Sequence, residues 1–310
     1  MRILVTGADG FVGGYLLPRL AAAGHEVVGT ARPGSEGHRA DAAAWIPLEL
    51  DDPESVASAL AEPVDAIVHL AAMASNAEAR RDPGRAWSVN AAGTARLAAA
   101  AAALREADNG DPLFLLVSSG EVYGSGPPLP RREDEQLRPQ SPYAASKAGA
   151  ELAVLETGRR TGLRVLVARP FQHTGPAQST RYVVPALARR LHDARAAGQR
   201  AVRTGSLDPV RDILDVRDVV GAYLLLLERG VPGTIYNVAR GEGVALHDLF
   251  DRLAALVGVD ARPESDPALM RTADVPYLVG DASLLRGATG WRPALTLEQT
   301  LKDVVDAQAH

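Results

Sequence analysis

Cysteine is missing from all 310 residues. That excludes a disulfide framework, a zinc–thiolate or iron–sulfur site and a thiol nucleophile. No uncharged apolar run reaches the roughly 18 residues that span a bilayer, so no membrane association is expected. The N-terminus carries one early Arg and then turns glycine-rich, which does not read as a signal peptide and makes a cytoplasmic protein the expectation. Neither charge dominates: 33 Lys+Arg face 38 Asp+Glu, a formal net charge of −5. Such a balance gives no general electrostatic reason to bind nucleic acid. The seven His include no i,i+3 or i,i+4 pair and no accompanying aspartate cluster, so no metal is expected. What remains, 46% hydrophobic and 23% charged residues, is the composition of a folded globular chain. At about 100–200 residues per domain the length suggests two domains, or one large α/β unit with a smaller lobe.

The first half alternates short β-branched runs with alanine-rich stretches. Strands are predicted at 2–6, 26–30, 45–50, 65–70, 113–118 and 163–168, with helices at 11–23, 85–106 and 142–161. Strands this apolar, separated by helices, indicate a parallel sheet covered on both faces. After about Pro170 the pattern loosens; 171–200, 239–256 and 262–290 are rich in turn residues and arginine, while 234–238 returns to strand. A smaller C-terminal lobe, entered more than once, is the economical reading. The proline-rich, charged loop from Gly124 to Gln140 reads equally as a functional loop or a solvated excursion.

Gly7, Gly10 and Gly13 lie between the first strand and the first helix. There the chain must turn sharply, admit a diphosphate to its backbone and aim a helix N-terminus at negative charge. A side chain at Gly10 or Gly13 would obstruct that approach or the helix–strand packing. Three glycines alone are turn punctuation; at this junction they point to a dinucleotide. The second strand ends in Thr30-Ala31-Arg32, without the carboxylate that would grip the ribose hydroxyls of NAD. Ala31 removes repulsion of a 2′-phosphate and Arg32 pairs with one. NADPH is therefore expected, with NADH as the alternative and a plain surface role for Arg32 as the bland reading.

The run from Ser118 to Gly124 leaves the fifth strand at the carboxyl edge, where such sheets bind ligands. Tyr143 and Lys147 then stand four apart at the start of the next helix, on one face. A nearby ammonium favours the phenolate, so Lys147 is expected to lower the Tyr143 phenol from about 10. Tyr143 would then exchange a proton with an alcohol or carbonyl, and Ser119 would stabilise the same oxygen. A lone Tyr-x-x-x-Lys is a solvated helix face as often as a site; the strand-end Ser and the glycine turn, in this order, argue against that.

TGADGFVGGYL, HLAA at 69–72, Asn90, SSGEVYG, SPYAASK and RDILDVRD at 211–218 together resemble an extended short-chain dehydrogenase/reductase acting on nucleotide sugars. The resemblance covers essentially the whole chain. It implies a Rossmann domain over 1–170, with a return segment near 201–238, and a sugar-nucleotide lobe within 171–310. It puts Gly7, Gly10, Phe11, Val12 and Gly13 at the cofactor pyrophosphate, Glu49 and Leu50 beside the adenine, and Leu70, Ala71, Ala72, Asn90 and Pro170 in the cofactor cleft. Tyr143 and Lys147 would serve both catalysis and the nicotinamide ribose. Ser75, Glu121, Gln172, Arg211, Arg271 and Asp274 would meet the substrate, the two arginines at its diphosphate and ribose. Asp212 would orient Arg211 or cap a turn, and His173 would contact a ligand or be structural.

Residues 164–178 and 266–281 most resemble the GDP-4-keto-6-deoxy-D-mannose reductases, which implies hydride transfer to C4 and GDP-D-rhamnose as product. Gln172 stands where Asn is usual and Asp274 where Glu is usual, which changes their reach. The alternatives are a 4,6-dehydratase, for which Glu121 is an acid in a suitable place, a 4-epimerase, or a non-catalytic dinucleotide-binding regulator. The helices at 85–106 and 142–161 would form a homodimer interface or pack only on the sheet.

Overall fold

Short apolar runs that must bury both faces pair best with one another, and the turn residues between them set where each ends. In the computed structural model, which describes residues 1–35, 41–107, 110–270 and 275–309, this produces the following order. The first half runs β1 (Arg2–Thr6), α1 (Gly13–Ala22), β2 (Glu26–Ala31), β3 (Ala44–Pro47), α2 (Pro53–Ala59), β4 (Ala66–His69), α3 (Asn76–Arg81), α4 (Pro83–Trp87), α5 (Thr94–Glu106), β5 (Leu113–Val117), α6 (Pro142–Thr161) and β6 (Arg164–Pro170). Then follow β7 (Gln172–Thr174), α7 (Val183–Ala196), β8 (Ala201–Thr204), β9 (Val210–Asp215), α8 (Val216–Arg229) and β10 (Ile235–Val238). The chain ends with β11 (Gly243–Ala245), α9 (Leu246–Val257), β12 (Arg262–Ser265), β13 (Tyr277–Leu278), α10 (Ser283–Thr289) and α11 (Leu297–Gln308).

Seven strands form one sheet in the order β10-β6-β5-β4-β1-β2-β3, parallel throughout. Alternate residues of β1 feed two cores. Ile3 and Val5 pack with Leu16 and Leu20 of α1 and Tyr223 of α8, while Leu4 packs with Leu97 of α5 and Val154 of α6. This is a doubly wound Rossmann sheet. Winding reverses after β3, so the crevice beyond the carboxyl ends of β1 and β4 is its ligand site. Register aligns those ends: Thr6 lies opposite His69, His69 opposite Leu116, and Val117 opposite Ala168. The residues that follow each strand therefore emerge along one edge.

Helix α6 shows how local chemistry fixes an element that the site needs. Ser141 caps it by accepting from the Ala144 N–H at 3.1 Å, Pro142 occupies its first turn, and Gly162 ends it at φ 75°. The predicted helix over 85–106 is instead interrupted: a π-helical segment, Ser88–Gly93, separates α4 from α5. The turn-rich reading of 171–200 and 239–256 also needs correction, because α7 and α9 lie there. Together with α11 they enclose a third core of Leu187, Leu191, Leu249, Phe250, Leu253 and Leu301. Beside it, β9 carries β7, β11 and β13, and β8 pairs with β12.

The loop after Gly124 is pinned down. A Cβ at Gly124 would sit 1.8 Å from the Arg138 carbonyl oxygen. The Arg131 N–H donates to the Val279 carbonyl at 2.8 Å, and the Glu133 carboxylate accepts from the Asn237 N–H at 2.8 Å. The loop is a strap across the ends of β6 and β10 rather than a solvated excursion.

Candidate active site

The glycine turn is shaped by what its Cα atoms face. Gly7, at φ +66°, has Ala71 backbone 2.8 Å from where a Cβ would stand; at Gly13 the Ala8 carbonyl oxygen is 2.3 Å away, and at Gly10 the Gly7 oxygen is 3.2 Å away. Any side chain would fill this cradle or force α1 off β1. The N-terminus of α1, which carries no side-chain cap, begins directly after this turn. A diphosphate fits such a place. Phe11 and Val12 are partly buried beside it, and Arg32 is exposed just past β2. Glu49 is partly buried, with Leu50 buried against Gly93.

Leu70, Ala71 and Ala72 leave β4 partly buried along the same edge. Below them His69 is clamped between Thr6 at 2.7 Å and Thr94 at 2.9 Å. Burial, helped by the charge of Lys147, lowers its imidazole to about 3; it is a neutral part of the floor. The π segment delivers Asn90 inward. Its Oδ1 accepts from the Met73 N–H at 2.7 Å, and its Nδ2 donates to Ser146 at 2.9 Å. Ser146 in turn donates to the Tyr143 carbonyl at 2.8 Å. Asn90 thus ties the segment after β4 to the turn of α6 that carries Tyr143. Pro170 is buried at the end of β6.

The structure brings Ser119, Tyr143 and Lys147 together. Ser119 caps a 3₁₀ turn, Gly120–Tyr123, accepting from the Glu121 N–H at 3.2 Å, and its hydroxyl acts on the Tyr143 phenol. Lys147 is buried and donates to the Val117 carbonyl at 2.6 Å. Its ammonium is lowered to about 8 by burial, against the pull of Glu151. The expected lowering of Tyr143 is not what the structure shows. Burial pushes the phenol above its ordinary range, the charge of Glu121 pushes it further, and the Ser119 hydroxyl opposes the rise. In this arrangement Tyr143 holds its proton firmly.

On the substrate side Ser75 caps α3 through the Glu78 N–H at 3.3 Å. Asn76 follows, and its amide donates to both oxygens of Glu121, at 3.0 and 2.8 Å. Gln172 is partly buried at the start of β7. Arg211 is buried on β9 and donates to the Val210 carbonyl at 2.9 Å. Asp212 accepts from the N–H groups of Arg240 and Gly241, at 2.9 and 2.8 Å, and so caps a turn; burial raises its carboxyl to about 6. His173 is bonded to the Phe171 carbonyl at 3.0 Å and stacked on Phe11, a structural role. Arg271 and Asp274 lie outside the described residues.

Two groups belong to no motif. Asn76 has no sequence signal at all. Glu151, one turn beyond Lys147, accepts from Ser118 and from Arg169 Nη2 at 2.7 Å, and both charged side chains are almost fully buried. The i,i+4 spacing from Lys147 is the only hint the sequence offered.

Residues 3–239 match the NAD dependent epimerase/dehydratase family. The chain belongs to that family. It is 37% identical to GDP-6-deoxy-D-mannose reductase of Pseudomonas aeruginosa, over 98% of this chain and 96% of the relative. The structure of RMD from Pseudomonas aeruginosa complexed with NADPH superposes with a TM-score of 0.85 at 36% identity, covering 99% and 98% of the two chains. UDP-glucose 4-epimerase of Thermus thermophilus, in complex with NAD, superposes with a TM-score of 0.86 at 30% identity, covering 99% of each chain. Extended short-chain dehydrogenase/reductase architecture is therefore shared along the full length. Among the described residues no helix is long and apolar enough to cross a membrane.

Proposed function

We propose that the protein reduces the C4 keto group of GDP-4-dehydro-6-deoxy-D-mannose to GDP-D-rhamnose, using NADPH. One observation carries the reading: the Tyr143 phenol is kept protonated by burial and by the charge of Glu121, with the Ser119 hydroxyl acting on it. A reductase must deliver a proton to an oxygen that becomes an alkoxide, so a phenol that arrives protonated is poised as the general acid. Ser119 polarises the carbonyl from the same side. Lys147, anchored on the Val117 carbonyl, adds positive charge near the phenolate left after transfer. When bound, the nicotinamide supplies the hydride. Gly7, Gly10 and Gly13 would hold the pyrophosphate, and Ala31 with Arg32 would admit a 2′-phosphate; Arg211, with Arg271, would take the substrate diphosphate. The full-length similarity to a GDP-6-deoxy-D-mannose reductase supports the substrate.

The test is oxidation of NADPH, followed by absorbance, with the GDP-keto sugar as substrate; NADH in the same assay ranks the cofactors. Tyr143→Phe should lower kcat by about 10²–10⁴-fold, and full turnover in that variant would sink the mechanism. Glu121 favours a second reading, a 4,6-dehydratase, because an acid stands beside the substrate face. Conversion of GDP-mannose with no net change in cofactor would establish it.

The division of labour we propose is 1–170, with the return near 201–238, for the dinucleotide, and the rest of 171–310 for the sugar nucleotide. A homodimer through α4, α5 and α6 is part of the same proposal. Trp87 lies over Gly149 and is 47% exposed, and Leu152 on α6 is 67% exposed, an apolar face that a second copy would cover. Leu152→Arg should convert the dimer to a monomer in sedimentation velocity; an unchanged sedimentation coefficient would reject this face. A reductase that draws on NADPH and a nucleotide sugar works where both pools are kept, in the cytoplasm.

A further inference from the structure

Asn76 uses only half of its amide. Nδ2 donates to both Glu121 oxygens, whereas Oδ1 is buried and accepts no hydrogen bond among the described residues. The orientation is fixed by chemistry: an ionised carboxylate only accepts, so the nitrogen must face it and the oxygen must face away. A buried acceptor without a donor is unfavourable, which calls for a partner that arrives with the ligand.

The surroundings say what kind of partner. Glu121 stands two residues beyond Ser119, and its charge acts on the Tyr143 phenol. Tyr182, just before α7, feels Glu78 and Glu121, and Arg181 reaches Glu78 of α3 at 2.9 Å. The start of α3 and the approach to α7 therefore converge on the carboxylate beside the reacting centre. A phosphate has no proton to offer Oδ1 and would be repelled by Glu121 and Glu78. A neutral hydroxyl offers one.

We propose that Asn76 is a specificity-determining residue of the sugar subsite: Nδ2 fixes the Glu121 carboxylate while Oδ1 accepts a hydrogen bond from the hexose hydroxyl vicinal to the reacting carbon. The inference rests on the nucleotide-sugar reading above. It gives the chain a means of choosing among hexoses, since a sugar with that hydroxyl absent or inverted leaves Oδ1 unpaired.

The experiment is calorimetric titration of the NADPH-loaded enzyme with GDP and with GDP-mannose, for wild type and Asn76→Ala, each alone and with Glu121→Gln. GDP carries no hexose, so its affinity reports the nucleotide site alone. Asn76→Ala should weaken GDP-mannose by about tenfold and leave GDP within about twofold. The same loss should persist in the Glu121→Gln background, because Oδ1 acts directly. Equal weakening of both ligands, or no weakening, overturns the proposal. So does a loss that vanishes with Glu121→Gln, which would reduce Asn76 to a holder of that carboxylate. If wild type binds neither ligand while binding NADPH, the nucleotide-sugar reading itself has failed and takes the proposal with it.

Discussion

Replacing Glu151 by Gln tests the buried support of α6. Glu151 accepts from Ser118, from Arg169 Nε at 3.0 Å and from Arg169 Nη2 at 2.7 Å, and neither Glu151 nor Arg169 is more than 3% exposed. The amide introduced by Glu151→Gln turns one donor group toward the donors of Arg169 and removes the negative charge. Breaking one member of a buried pair costs about 3–5 kcal/mol, whereas replacing both members can be nearly neutral. Arg169 keeps the Tyr123 hydroxyl at 2.8 Å and the Glu133 carbonyl at 3.2 Å, which argues for the lower end, about 3 kcal/mol. Urea denaturation of Glu151→Gln, Arg169→Met and the double variant measures this directly. The double variant should lose less than the sum of the singles. A loss below about 1 kcal/mol for Glu151→Gln, or strict additivity, would refute a tightly coupled pair.

The same substitution should move a titration. Lys147 is lowered to about 8 by burial and held up by Glu151. Without that charge its ammonium loses the proton at lower pH, so the basic limb of kcat/KM should shift toward acid. Stability carries the matching sign. Between about 8 and the ordinary 10.5 the unfolded chain binds the extra proton, so wild-type stability rises with pH across that window. In the variant the rise should begin earlier. An unmoved basic limb in a folded variant would detach Glu151 from Lys147.

Gly13→Ala places a methyl 2.3 Å from the Ala8 carbonyl oxygen, a backbone atom that cannot turn aside; α1 must lift, at about 1–3 kcal/mol. Thermal melting should fall, and NADPH titration should show at least about tenfold weaker binding, with wild-type values for both as the contrary result. His69 binds its proton only near pH 3 in the fold, against 6.5 ordinarily. The unfolded chain therefore takes up the extra proton as pH falls from 6.5, and stability is lost from there down to about 3, up to roughly 5 kcal/mol in all. Melting followed by circular dichroism at about pH 7 and about pH 4, either side of the ordinary imidazole range, should show a smaller drop in His69→Gln than in wild type.

The chain order of strands, the ends of α6 and the grouping of Ser119, Tyr143 and Lys147 could be read from residues alone, because each rests on local chemistry. The β-branched runs have no better use than a buried parallel sheet, and Ser141-Pro142 and Gly162 mark a helix whatever surrounds it. Elements that depend on insertion or on depth could not be read that way. The π segment at 88–93 adds a residue to a run so rich in alanine that no periodicity breaks. In α7, Arg189, Arg190 and Arg195 hide a stripe of Val184, Leu187, Ala188 and Leu191 that the third core buries.

Tyr143 shows the limit most sharply. Its spacing from Lys147 suggested a lowered phenol, whereas the shift runs the other way, since spacing carries no information about burial. In the fold, desolvation raises the phenol, and the charge of Glu121 adds to the rise. The phenol that a phenolate-centred reading would place in the deprotonated state is instead a held proton. For a chain that must hand a proton to a reduced carbonyl, that is the more useful state. In the mechanism we propose, Lys147, itself lowered to about 8, would act after the transfer, its ammonium stabilising the phenolate left on Tyr143.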